Sequence, residues 1–142
     1  MADARIPSDA VDLFTGKALA HLATITETGR PTVTPIWIDL EGGNVLVNSA
    51  KGRVKNRVME VGAKVAHSIV DPDNSYRFLR LQGVVTERRD AGADEQLERL
   101  SQRYLGKAYP WRRPGEQREL FVIRPTHVRT MGPAQFPGTG KQ

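Results

Sequence analysis

The sequence predicts a mainly β protein, an antiparallel barrel of six strands with two substantial helices and a short one. Three observations carry this. Short stretches of strand composition recur between turns rich in Gly, Pro, Asn and Asp. Helical spacing is confined to a few stretches. Several strands are apolar on both faces, which fits a sheet closed on itself and covered from outside.

Ser8 is placed to cap a short helix carrying Val11 and Phe14, with Gly16 as its stop. Leu19 to Thr26 reads as the first strand, and Glu27-Thr28-Gly29-Arg30-Pro31 as the turn after it. Thr32 to Leu40 is the second strand, Glu41-Gly42-Gly43-Asn44 a tight connection, and Val45 to Ser49 the third. Lys51 to Glu60 has helical spacing, with Val54, Val58 and Val61 on one face and Gly62 as C-cap. Ala63 to Val70 is the fourth strand, closed by the turn Asp71-Pro72-Asp73-Asn74, and Tyr76 to Glu87 is the fifth. Asp94 to Gly106 is a helix whose buried stripe is Leu97, Leu100 and Tyr104, and Arg118 to Met131 is the sixth strand. Residues 1–142 read as one domain with an ordered core of about residues 8–130. The Gly- and Pro-rich stretch from Pro133 to Gln142 reads as a flexible tail.

Val45, Leu46 and Val47 run consecutively, and Tyr76 and Phe78 alternate with Leu79 and Leu81. A barrel fills only its inside with apolar side chains. The surplus on the outer face needs a cover, and a second subunit supplies it.

Composition narrows the function. With 39% hydrophobic and 26% charged residues the chain is of ordinary globular balance. It has no Cys, which excludes disulfides, a thiolate zinc site and a cysteine nucleophile. No apolar run reaches the ~18 residues of a membrane span, and the N-terminus lacks a secretory h-region, so the expected location is cytoplasmic. The net charge of +5 favours an anionic partner. Exposed aromatics interleaved with cations on adjacent strands are missing, which speaks against nucleic acid. His21, His67 and His127 lack metal-ligand spacing, and no metal site is expected.

Two stretches carry chemistry. Lys51, Arg53, Lys55 and Arg57 crowd the start of the helix after Asn48-Ser49-Ala50. Cations there oppose the helix dipole, each at a cost of roughly 0.3–1 kcal/mol unless an anion is present. Ser49, free backbone N–H groups and these cations fit a phosphate. In Thr34-Pro35-Ile36-Trp37-Ile38 the apolar phase slips by one residue at Pro35, which reads as a bulge or an unpaired edge beside a planar heterocycle. Tyr104 to Arg113 mixes aromatics with cations and reads either as a lid or as a packed corner.

Leu22-Ala23-Thr24, Gly29-Arg30-Pro31, Val33-Thr34-Pro35-Ile36-Trp37, Val47-Asn48-Ser49 and Gly52-Arg53-Val54-Lys55-Asn56 occur in this order at close spacing. With Asp71-Pro72-Asp73-Asn74, Tyr104-Leu105-Gly106-Lys107 and Tyr109-Pro110-Trp111, they resemble the pyridoxamine 5'-phosphate oxidase-like split-barrel superfamily. Within it they resemble the actinobacterial reductases that depend on the deazaflavin coenzyme F420. The resemblance covers about residues 8–130. It implies a six-stranded split β-barrel of the flavin-reductase, FMN-binding type, working as a homodimer with cofactor sites at the subunit interface. It implies that Arg53, Lys55, Asn56 and Arg57 hold the phosphate. The ring would lie along Pro35, Ile36 and Trp37, beside Val47, Asn48 and Ser49, with Tyr76 and Phe78 of the partner subunit closing the site. The implied reaction is hydride transfer from reduced coenzyme F420 to a small electron-poor organic acceptor, with no general acid assigned. The Arg-x-Val-Leu-Leu-Lys segment of the classical oxidases is replaced by Val33-Thr34-Pro35-Ile36-Trp37-Ile38. An FMN-dependent oxidoreductase and a non-catalytic flavin or haem carrier on the same fold stand as alternatives.

Overall fold

The computed structural model describes residues 4–132, so the expectation of a flexible tail over 133–142 lies outside the described residues. Seven strands form one antiparallel sheet: β1 (Ala20–Ile25), β2 (Pro31–Ile36), β3 (Asp39–Glu41), β4 (Asn44–Ala50), β5 (Lys64–Asp71), β6 (Asn74–Arg89) and β7 (Arg118–Met131). Their order across the sheet is β2-β1-β5-β6-β7-β4-β3. The helices are α1 (Asp12–Thr15), preceded by a 3₁₀ turn at Ser8–Ala10, α2 (Val54–Val58) and α3 (Ala93–Leu105).

The strand order dictates a rolled sheet. β2 and β3 are its two edges, yet only Trp37 and Ile38 join Ile36 to Asp39. Three Cα steps span at most about 11 Å. The two edges must therefore meet, with the short crossing as a seam that the ladder does not close. This splits the single strand expected over Thr32 to Leu40, and seven strands stand where six were expected. The phase slip has another cause: Val33 is 64% exposed on the outer face, while Ile36 is buried. The β1–β2 register runs unbroken from Ala20↔Ile36 to Ile25↔Pro31, so Pro35 makes no bulge. Pro35 sits on a terminal strand, where a missing N–H is tolerated.

The long β6 curls through two register shifts, at Gln82/Gly83 and Val85/Glu87. At the first, Gly83 passes so close to β7 that a Cβ would lie 2.6 Å from Ile123 Cγ2 and 2.8 Å from the Arg124 carbonyl. Inside the roll, Phe14, Leu22, Ile38, Val47, Ile69 and Phe121 belong to one core. α3 packs over β7 and β4 from outside. β4 is thus buried on both faces, which accounts for the run Val45-Leu46-Val47 without a second subunit. The outer face of β1, β5 and β6 is left open.

The helix after β4 is much shorter than its spacing implies. Only five residues, Val54–Val58, are helical, and Arg53 occupies the N-cap. Val54 and Val61, expected on its buried face, are 50% and 64% exposed, and Met59 is buried instead. Among the described residues no helix is long and apolar enough to cross a membrane.

Candidate functional site

Beside the seam lies a cleft of about 360 Å³ between the end of β2, β4, the start of α2, α3 and the loop 106–117. Its chemistry is divided. One end holds Arg53, Lys55 and Arg118, the other Pro35, Ile36 and Trp37, with Tyr109 and Trp111 along the side. Larger hollows, about 730 and 570 Å³, lie on the open outer face of the sheet, away from this cation cluster.

The aromatic wall is built by contacts distant in sequence. Trp37 stacks on Tyr104 with centroids 5.1 Å apart and planes 7° from parallel. Tyr109 meets Trp37 edge-on at 6.0 Å, and Trp111 meets Tyr109 at 5.7 Å. The Tyr104 hydroxyl accepts from the Ile38 amide at 3.2 Å and donates to the Ala18 carbonyl at 2.6 Å. Arg103 donates to the carbonyls of Phe14 and Ile38 at 2.6 and 2.9 Å. α3 therefore pins the seam, and with it the plane of Trp37. The segment Tyr104 to Arg113 is a fixed wall. The Ser101 hydroxyl donates to the Lys107 carbonyl at 2.7 Å, the Tyr109 amide to Glu98 at 3.1 Å, and Arg112 to Asp94 at 2.9 Å.

At the cationic end Arg118 is paired with Glu116 at 3.1 Å, and the other two cations are left without counter-charge. Among the described residues neither Arg53 nor Lys55 makes an ion pair. Lys55 is half-buried; that burial, then Arg53 and Arg118, hold its amine below the ordinary lysine value. A five-residue helix whose last turn contains Lys55 and Arg57 has no N-terminal field of consequence. The dipole argument from sequence therefore falls, and desolvation with like-charge repulsion replaces it. These residues fit a phosphate at one end and a planar ring against Pro35 and Trp37 at the other.

The structure does not bring every expected residue here. Arg57 points away, 3.9 Å from Glu27. Asn56 is buried under α2, where its amide donates to Glu119 at 2.7 Å; Glu119 in turn accepts from Arg88 at 2.9 Å. Asn56 thus ties α2 to β7. Val47 lies in the core and Ser49 is fully buried, its hydroxyl without a protein partner among the described residues. Asn48 reaches the cleft, but both its amide hydrogens are engaged, with the Ala93 carbonyl at 2.8 Å and Gln96 at 2.9 Å. Tyr76 and Phe78 lie on β6 and are not part of this chain's cleft. Sequence reasoning missed Arg118, 70 residues from Asn48 yet bonded to it. Opening a strand rather than a charge run, it carries no local signal. Among the described residues no cluster of three or more His, Asp or Glu side chains could hold a metal ion.

A rolled antiparallel sheet with an unclosed seam and a cleft beside it defines a split β-barrel. The pyridoxamine 5'-phosphate oxidase family pattern matches residues 6–132, and the chain belongs to that family. It is similar to a solved F420 reductase at 28% identity, over 87% of this chain and 98% of that one, with a TM-score of 0.77. A conserved hypothetical protein from Mycobacterium tuberculosis matches at 20% identity, over 93% of this chain and 90% of that one, TM-score 0.66. A FAD- and heme-binding protein from Mycobacterium smegmatis matches at 17%, over 90% and 71%, TM-score 0.63. The last two likenesses are of fold. No curated protein matches the chain.

Proposed function

We propose that this protein is an oxidoreductase that transfers a hydride between the reduced deazaflavin coenzyme F420 and a small electron-poor organic acceptor. The observation that carries the reading is the divided cleft, with uncompensated Arg53 and Lys55 at one end and Pro35, Ile36 and Trp37 at the other. The 28% identity to an F420 reductase favours the deazaflavin over FMN. When bound and reduced, the coenzyme supplies the hydride. The chain's part is to bind, orient and shield. Arg53 and Lys55 take the phosphate, Trp37 offers a flat wall whose plane Tyr104 fixes, and Tyr109 and Trp111 exclude water along the side. The Tyr104 hydroxyl, committed to the Ala18 carbonyl, is not available as a proton donor.

In this reading the working unit is a homodimer. Its partner covers the open face of β1, β5 and β6 and lays Tyr76 and Phe78 against the cleft. An FMN-dependent enzyme is the second reading, because a phosphate end and a ring end suit both molecules. Calorimetric titration with coenzyme F420 and with FMN, then addition of quinone and enone acceptors to the reduced complex, tests the proposal. Tighter binding of coenzyme F420 with turnover of an acceptor is expected. Preference for FMN moves the assignment to the second reading, and binding with no acceptor turned over makes the protein a carrier.

A further inference from the structure

The guanidinium of Arg118 is unusual in being buried and yet unfinished. Its side chain is 5% exposed. Nε donates to Asn48 Oδ1 at 2.8 Å and Nη1 to Glu116 Oε2 at 3.1 Å. Nη2 makes no hydrogen bond among the described residues, and it is not sealed off, since it is absent from the buried polar atoms left without a partner. The residue borders the cleft, and its guanidinium carbon lies 5.7 Å from the Tyr109 ring centroid. One nitrogen thus remains to serve a ligand there.

The charges around it do not cancel. Glu116 offsets Arg118, while Arg53 and Lys55 have no carboxylate among the described residues. Arg118 is close enough to help depress the Lys55 amine. Three cations converging on a partly desolvated pocket are mutually repulsive until an anion enters. Arg118 is also the best held of the three. Asn48 fixes its Nε side, and Asn48 is itself fixed by the Ala93 carbonyl and Gln96. A guanidinium held from behind in this way presents its remaining nitrogen to one phosphate without further ordering.

We propose that Arg118 is the third arm of an anion site formed with Arg53 and Lys55, and that Asn48 and Gln96 are positioning residues that hold its guanidinium toward the cleft. The chemistry read is that of an esterified phosphate, the group that FMN and coenzyme F420 share. The identity of the natural ligand rests on the function proposed above, whereas the anion site itself does not.

The test compares FMN with riboflavin, which lacks the phosphate, and adds inorganic phosphate as a separate probe. In Arg118→Met, FMN affinity falls at least tenfold while riboflavin affinity stays within twofold. Arg118→Lys keeps the buried charge and should fold even where Arg118→Met does not. It loses the tether to Asn48 and lowers the ratio of FMN to riboflavin affinity severalfold. Asn48→Ala shifts that ratio in the same direction. Equal losses for FMN and riboflavin in Arg118→Lys, or no loss for FMN, overturn the assignment. Should the parent protein bind neither FMN nor coenzyme F420, the proposed function fails and inorganic phosphate decides the site. A phosphate-induced rise in Tm that disappears in Arg118→Lys then supports it. A parent Tm indifferent to millimolar phosphate overturns it.

Discussion

His67 and Lys55 are both ionisable groups held from water without a counter-charge. His67 is 3% exposed on β5, between Leu22 of β1 and Leu81 of β6, and neither ring nitrogen has a protein partner among the described residues. Burial alone pushes its pKa from 6.5 to about 4. The unfolded chain therefore takes up a proton that the folded one refuses. Stability is full above pH 6.5, falls on acidification, and stops falling for this reason near pH 4, a loss of about 3 kcal/mol. Denaturant melts from pH 7.5 to 4 should show that slope in the parent and a flatter one in His67→Leu; parallel slopes would refute it. For Lys55 the linkage is to ligand. A charge-assisted contact contributes about 1.5–3 kcal/mol, so Arg53→Ala or Lys55→Ala should weaken coenzyme binding roughly ten- to a hundredfold. The apo forms should melt no lower than the parent, because each change relieves repulsion within the cation cluster. Affinity within twofold of the parent in both variants removes the phosphate from this end.

At the scale of elements, the seam joins fold to site. The Tyr104 hydroxyl serves the Ile38 amide and the Ala18 carbonyl at once, and its ring backs Trp37. Tyr104→Phe keeps the ring and strands two backbone groups, for about 1–3 kcal/mol of stability. A loosened Trp37 should also lower coenzyme affinity severalfold. Urea unfolding beside calorimetry measures both, and unchanged values in each separate the seam from the site. The same region shows how far the sequence could be read. The strand periods of β1, β5, β6 and β7, the turns and the stripe Leu97, Leu100 and Tyr104 were legible because each is a local pattern facing one surface. The break at Trp37 and Ile38 was not, since only the long-range pairing of β2 with β1 and of β3 with β4 reveals it. The five-residue α2 was overread for a related reason. Val54 and Val61 have helical spacing, but no core lies over them. In the site, Pro35, Ile36, Trp37, Arg53 and Lys55 came from local pattern and do line the cleft. Arg118 required the β4–β7 pairing that puts the two strands side by side.

For the whole molecule, the two outer faces of the sheet stand in contrast. α3 covers β4 and β7, but among the described residues no helix lies over the outer face at Ala23, Ala66 and Gln82. At the centre of the open face Ala23, Ala66, Gln82 and His127 lie side by side across four strands, the first two of them small. Around them Ile25, Val33 and Tyr76 are 54%, 64% and 42% exposed. A standard interface takes about 800 Å² per partner, about a tenth of this chain's 8395 Å² surface. The expected mass by light scattering at micromolar concentration is that of a dimer. Ala66→Glu places a long charged side chain at the centre of this face and should yield a folded monomer. A parent protein that is monomeric at this concentration overturns the reading. The cleft makes the test sharper. Arg53, Lys55 and Trp37 belong to one chain, whereas Tyr76 and Phe78 can reach a cleft only across the interface. If they close it, coenzyme affinity should drop as the parent is diluted through its own dissociation, and Ala66→Glu should bind weakly at every concentration. An affinity independent of dilution and unaltered in the monomer would show that each chain holds its coenzyme alone.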